Sequence, residues 1–575
     1  MAGSTIAAGT DITVKGRDIL VKGSDVSSEN GKISLKADNN VNVTAETEHH
    51  ESLHEEHREK TGLLSSTKTD IYDHQSLDAV RGSSLSGNEL EVTAGNDVTV
   101  QGSSAVADKD VAITAKNGNI TIESARETSR SEYEKSVKKS GVFSGGGLGV
   151  AIGSQKQKHT DDLDSVSQAG SVAGSVDGNV TLEAGKDVTV TASDIISGQD
   201  TAITGQNVTI EADDNIDKER ETYEFKQSGL SLAIGGQVVD NIQGVYQPAK
   251  RAGEVEDSRL KALYDYKAVK AADNLNRGKN ADGSAKTDGG LSVSISLGSS
   301  KKQSETNAEA TTAAGSQVTA GGDVSITATG VKDEQGRVID GGDLNIVGSS
   351  IDGQNIHLSA ANGVNLTAAE NTTSTKTTSS GKSAGIGVKV SAGQAPGFFV
   401  EGSKSSGREN GNTVTHTNTH ITAADTVTIE SGQDTSLKGA QVKGKTVDID
   451  AKGDLNLESL QDVDNYQETN KSAGGSISFG AGGLSGTASA SKGHIDSEYQ
   501  SVTEQTGIYA GEGGFDIEAG GNTDLNPLKA GITKKINKYA WSSYHEYIGN
   551  CGITDIDLAL GIDSIYEEEI KEKGS

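Results

Sequence analysis

The chain has 575 residues and a net charge of −30, from 52 basic against 82 acidic side chains. It holds 73 Gly but only 3% aromatics, with 3 Pro, 1 Cys, 1 Trp and 1 Met, which excludes several thick globular cores, a disulfide scaffold and a Cys-built zinc site. No run of 18 apolar residues is present to span a membrane, and the acidic balance disfavours nucleic acid and anionic lipid as partners.

Disorder and a thin repetitive core are the two classes left, and repetition decides between them. Residues 1–20 alternate Thr, Ile, Asp and Gly and show no basic start or apolar run, so export information is expected outside this chain. The segment Ala8 to Val14 (AGTDITV) recurs at Ala94 to Val100, Ala184 to Val190 and Ala320 to Ile326, with a worn copy at Ala423 to Ile429. Within these units a shorter period appears. Val188-Thr189-Val190 is followed 20 residues later by Val208-Thr209-Ile210, and Val427-Thr428-Ile429 by Val447-Asp448-Ile449. Apolar-polar-apolar triplets bounded by Gly, Asn or Asp mark short strands with one buried face. Strands at a period near 20 predict the coils of a parallel β-helix, with Val, Ile and Leu stacked inside. A β-propeller is disfavoured, because repeated aromatic signals are absent.

Five paired-coil cassettes follow in order: 3–46, 85–123, 173–212, 315–366 and 420–459. Between them lie insertions that open on charged Ser/Thr/Glu runs and pass through Gly-Ser strands. Examples are Ser228 to Gly235 (SGLSLAIG), Gly385 to Val390 (GIGVKV) and Gly475 to Gly480 (GSISFG). Such strands pack closely, as hairpins or as further coils. If all of residues 1–525 formed coils, the rod would reach at most about 125 Å. One stretch, Glu254 to Asn276, places Leu260, Leu263 and Tyr264 on a helical face.

The coils AGNDVTV and AGKDVTV, with the insertion text TTSSGKSAGIGVKVSAG and NKSAGGSISFGAGG, resemble the haemagglutinin repeats of filamentous-haemagglutinin adhesins and of contact-dependent growth-inhibition exoproteins. The resemblance covers about residues 3–525. It implies an all-β, right-handed parallel β-helix solenoid with inserted β-hairpins, exported by an outer-membrane two-partner-secretion transporter to the bacterial surface. It also implies a receptor or glycan on a host or neighbouring cell as partner. Neither a secretion domain nor the Val-Glu-Asn-Asn pretoxin signature is found, so the chain reads as a piece of a stalk.

From Asn526 the text changes. NPLKAGI and YAWSSYHEYIG resemble the C-terminal end of tyrosine transposases with a His-hydrophobic-His metal site, so residues 526–575 read as a foreign, short, mainly helical tail joined in frame. Leu558, Leu560, Ile562, Ile565 and Ile570 are its apolar positions.

Candidate chemistry is sparse. His50, His54 and His57 stand at i, i+4 and i+7, where a helix would align them for Zn²⁺ or Ni²⁺, but the surrounding Glu51, Glu55, Glu56 and Glu59 favour a solvated acidic insertion. Asp11, Asp97, Asp187 and Asp323 read as turn residues bonding their own backbone rather than a calcium ladder. Cys551 and His545 lack a third orienting group. No catalytic, cofactor-binding or metal residue is therefore assigned, and no cofactor. The expected function is a non-catalytic structural and adhesive stalk fragment, truncated by gene fusion, with the stalk or translocation region of a contact-dependent growth-inhibition toxin that has lost its toxin domain as the alternative. An active transposase is disfavoured by the acidic balance.

Overall fold

The computed structural model describes residues 3–146, 149–235, 292–391, 396–480, 483–526 and 541–542. The helical stretch expected at Glu254 to Asn276, the apolar tail positions, His545 and Cys551 all lie outside these residues.

Period-two triplets become strands that pair in parallel with their counterparts one coil on. Each coil has three faces. In the first, these are Thr5–Ala8, Ile12–Gly16 and Ile19–Lys22. On the third face, eleven strands stack in one parallel ladder, so the described solenoid has eleven coils. Registers hold strictly: Val98 pairs with Val41 on one side and Ile120 on the other, and Val100 with Val43 and Ile122. Inward positions therefore form columns of like residues, and Val41, Val98, Ile120, Val188 and Val208 are all fully buried. With coils about 4.8 Å apart, eleven span only about 48 Å.

The length missing from the 125 Å bound goes sideways. The five long insertions leave at one corner, between the third face of one coil and the first face of the next, and each is a long antiparallel hairpin; a short one, Val331–Lys332 with Val338–Asp340, leaves between the second and third faces of one coil. The hairpins pair Glu46–Thr61 with Ser65–Arg81, Ala125–Gly146 with Gly149–Ala169, Asp213–Gly235 with Ser292–Ala314, Ala369–Ser391 with Gly397–Thr417, and Asp462–Gly480 with Gly483–Ser501. The return arm of each pairs with the outgoing arm of the next, making a single antiparallel sheet beside the solenoid. An arm of 23 residues is about 78 Å long, so the sheet extends further from the corner than the solenoid is tall. Trp541–Ser542 adds a two-residue strand at its last edge.

Hairpins occupy every second coil. In the intervening coils the same corner turns tightly on one residue with positive φ: Gly23, Gly102, Ala192, Gly348 and Gly439, at +45° to +67°. Only Ala192 carries a Cβ there. At Gly102 a Cβ would sit 2.5 Å from that of Ala125, at the root of the second hairpin.

A column of hydroxyls runs along this corner. The Ser24, Ser83, Ser103, Ser171, Ser193 and Ser316 amides each donate to the hydroxyl of the next member, ending on Ser349, at 3.0–3.2 Å. These hydroxyls satisfy buried backbone groups at the corner itself, both where the chain turns tightly and where it returns from a hairpin.

Candidate functional site

The solenoid corners carry the repeated Asp residues, and their role differs from the expectation of own-backbone turns. Asp11 accepts the Lys32 amide, Asp97 that of Asn119, Asp187 that of Asn207 and Asp323 that of Asn355, at 2.9–3.2 Å. Each bond crosses to the following coil. Asn continues the same ladder, since Asn119 accepts the Asp187 amide and Asn207 that of Asp343. A side-chain carbonyl in the same place serves as well as a carboxylate, which is how a structural staple behaves.

The His-rich insertion is a strand rather than a helix. In Glu46–Thr61, His50 and His54 fall on one face, His57 on the other, and the span from 50 to 57 is about 23 Å. The three cannot share a metal. Instead His49 Nδ1 meets Asp78 Oδ1 at 2.7 Å, His57 Nδ1 meets Asp70 Oδ1 at 2.5 Å, and His74 Nε2 meets Glu51 Oε1 at 2.8 Å. The Asp78 carboxylate raises the His49 pKa above its ordinary value, and its own pKa is held down by His49 and then Thr128. Among the described residues no three His, Cys, Asp or Glu side chains are grouped to hold a metal ion.

The surface that does bring like groups together lies on the hairpin sheet. Lys68, Lys138, Lys156, Lys226, Lys301, Lys382 and Lys404 sit directly opposite one another on seven adjacent strands. Two residues further from the solenoid runs a row of small side chains, Ser66, Ser140, Ser154, Ser228, Ser299, Ala384 and Gly402. Beyond it come two apolar rows on the same face. One holds Val142, Ile152, Leu230, Leu297, Ile386, Val400 and Ile477, the other Val150, Leu232, Ile295, Val388, Phe398, Phe479 and Leu484. Most are exposed, Leu230 at 41% and Phe398 at 64%.

Small side chains between long ones leave a trough of about 940 Å³, lined by the lysines and serines. Glu59 pairs with Lys68 at 3.3 Å, and Glu224 reaches Lys226 at 2.6 Å and Lys301 at 3.8 Å. Among the described residues no acid lies within ion-pair distance of Lys138, Lys156, Lys382 or Lys404. Sequence reasoning missed this row. Its signal is a mirrored motif: Lys138-x-Ser140-Gly141-Val142, Lys226-x-Ser228-Gly229-Leu230 and Lys382-x-Ala384-Gly385-Ile386 on outgoing arms, Ile152-Gly153-Ser154-x-Lys156 and Leu297-Gly298-Ser299-x-Lys301 on returning ones.

A parallel solenoid that carries a stacked hairpin sheet, with its polar groups engaged as staples, is a scaffold architecture. The chain belongs to the haemagglutinin-repeat family: the Hemagglutinin repeat profile matches residues 1–70, 64–229, 152–282 and 297–473. It is 36% identical over 522 residues to "tRNA nuclease CdiA" of Escherichia coli O6:K15:H31, covering 89% of this chain and 16% of that protein. It is 38% identical over 480 residues to "Deoxyribonuclease CdiA" of Yersinia pseudotuberculosis, covering 82% and 43%. It is 33% identical over 564 residues to "Deoxyribonuclease CdiA" of Dickeya dadantii, covering 96% and 16%. The chain thus spans about a sixth to less than half of these relatives. No solved structure matches it.

Proposed function

We propose that this chain is a non-catalytic stalk segment of a large secreted exoprotein at the bacterial surface, holding its hairpin sheet out for contact with another cell. The observation that carries this reading is the strict two-coil repeat: five hairpins, one per two coils, stacked into one continuous sheet on a rigid support. Residues 1–525 form the haemagglutinin-repeat unit in this proposal and 526–575 a separate tail. The parent's partners are a two-partner-secretion transporter of the outer membrane and a receptor or glycan on the contacted cell. No helix among the described residues is long and apolar enough to cross a membrane.

Relatives bearing the names of nucleases favour a second reading, in which the same segment serves the delivery of a toxin carried elsewhere in the parent. Incubating the purified chain with tRNA and duplex DNA tests the non-catalytic part, and cleavage above a mock preparation overturns it. Electron microscopy tests the scaffold. An elongated slab with a solenoid edge of roughly 50 Å supports it, and a compact sphere sinks it. Expressing residues 526–575 inside bacteria is expected to be harmless, and growth arrest would favour toxin delivery.

A further inference from the structure

Like charges placed directly opposite each other in a sheet are destabilising. Seven consecutive lysines in one cross-strand row therefore work against the fold that holds them; elsewhere in the same sheet like charges oppose one another only in pairs, such as Glu132 with Asp162 and Lys471 with Lys492, and other opposed residues are matched. Thr160 bonds Thr222 at 2.5 Å, and Lys218 pairs with Glu309 at 2.9 Å. The row persists in a chain whose net charge is −30, so its local field is opposite in sign to that of the molecule. Two acids, Glu59 and Glu224, serve three of the seven lysines, and the uncompensated cost at the other four points to a ligand that supplies the missing negative charge.

The neighbouring rows restrict that ligand further. The trough itself is lined by the lysines and by Ser and Ala, and the next rows on the same face, outside it, are apolar and exposed to solvent. A large exposed apolar stripe rimmed by charge marks a contact surface. The occupant needs one acidic flank and one apolar flank, about 14 Å apart, sustained along the row. Seven strands set that length at about 29 Å. An α-helix is about 10–12 Å across with its side chains, which the long lysines can reach over, spans 30 Å in 20 residues, and returns a side chain to the same flank every 5.4 Å, close to the lysine spacing.

We propose that this trough docks an acidic amphipathic helix of a partner protein, carboxylates over the lysine row and apolar side chains on the Ile/Leu wall. A broad anionic surface is disfavoured because the same face, just inside the lysine row, carries Glu224, Glu134 and Glu305, which a flat bilayer would meet and a narrow helix avoids. A nucleic acid strand would leave the aliphatic wall unused. The site is independent of whether the parent is an adhesin or a toxin carrier.

The test uses the full chain and a fluorescent 20-residue synthetic helix with Leu at helical spacing and Glu along one flank, read by anisotropy. Binding is expected, weakening at least about tenfold from low to physiological salt and again in the triple variant Lys226→Gln, Lys301→Gln, Lys382→Gln. A second variant, Leu230→Ser with Leu297→Ser, tests the other wall and is expected to weaken binding while thermal unfolding stays unchanged. The proposal is overturned by equal binding of a Lys-flanked control helix, or by an unchanged triple variant. It is also overturned if the chain ignores the acidic helix yet co-sediments with phosphatidylglycerol vesicles.

Discussion

Replacing Ser171 by Ala tests the hydroxyl column at its most buried member. The Ser171 side chain is fully buried; its Oγ accepts the Ser103 amide at 3.1 Å and donates to the carbonyls of Glu123 at 2.7 Å and Val100 at 3.2 Å. Glu123 keeps the Gly102 amide as a second donor, so the carbonyl loses little. The Ser103 amide loses its acceptor in a dry interior, which costs about 1–3 kcal/mol. The expected destabilisation is therefore about 2 kcal/mol, with faster hydrogen exchange at that one amide. Ser171→Thr is the matched control, because Thr419 fills the equivalent corner four coils on and donates to Thr367 at 2.6 Å and Ile346 at 3.3 Å. Urea unfolding followed by circular dichroism measures both variants against the unsubstituted chain. A Ser171→Ala loss under about 0.5 kcal/mol, or a Thr variant as damaged as Ala, refutes the assigned role.

Three further outcomes follow from the same geometry. Gly102→Ala is expected to lower stability by about 2 kcal/mol through its positive φ and the contact with Ala125, while Ala192→Gly, at the equivalent corner, is neutral or stabilising by up to about 1 kcal/mol; thermal melts that rank them the other way contradict the corner argument. Lys32 and then Lys36, both 2.9 Å away, hold the Glu91 carboxyl down to about 2 from 4.5, so this interaction stabilises above pH 4.5 and fades as pH falls towards 2. Allowing for solvent screening, Glu91→Gln should cost about 1 kcal/mol at pH 7 and nothing near pH 2, and a cost that grows on acidification would reverse the sign. Asp187→Asn is expected to be near neutral, with no effect of millimolar Ca²⁺ on the melt of either form, whereas a calcium-dependent rise in the parent alone would make the Asp ladder a metal site.

The solenoid was legible because its signal is local. Val427-Thr428-Ile429 and Val447-Asp448-Ile449 name their own strands and their partners, which pair residue for residue at the spacing of 20. Polar alternation carries no such information. His50, His54 and His57 are compatible with a helical face or an extended arm, and the arm wins because its partner Ser65–Arg81 runs beside it along its whole length. The Gly-Ser or Ala-Ser pairs at Gly102-Ser103, Ala192-Ser193 and Gly348-Ser349 were visible signs of the hydroxyl column, but their meaning lies in bonds to residues as far apart as Ser193 and Ser316. The lysine row is less legible still. One mirrored arm predicts a hairpin, whereas alignment of seven lysines requires knowing that the hairpins pair with each other.

That mutual pairing follows from spacing. Strands lie about 4.8 Å apart whether parallel or antiparallel, so two coils advance the chain by about 9.6 Å and the two arms of one hairpin occupy the same 9.6 Å. A hairpin in every coil would crowd the sheet twofold, and one in every third would leave gaps that no hydrogen bond spans. Alternation of hairpins with single left-handed corners at Gly23, Gly102, Ala192, Gly348 and Gly439 is thus the arrangement in which both sheets close without strain. An isolated hairpin of this polarity would be marginal in water, and here each arm gains a second neighbour because the solenoid fixes its root. The columns of Val and Ile inside the coils therefore do more than hold the rod together. They set the pitch at which the lysine, serine and aliphatic rows outside can line up.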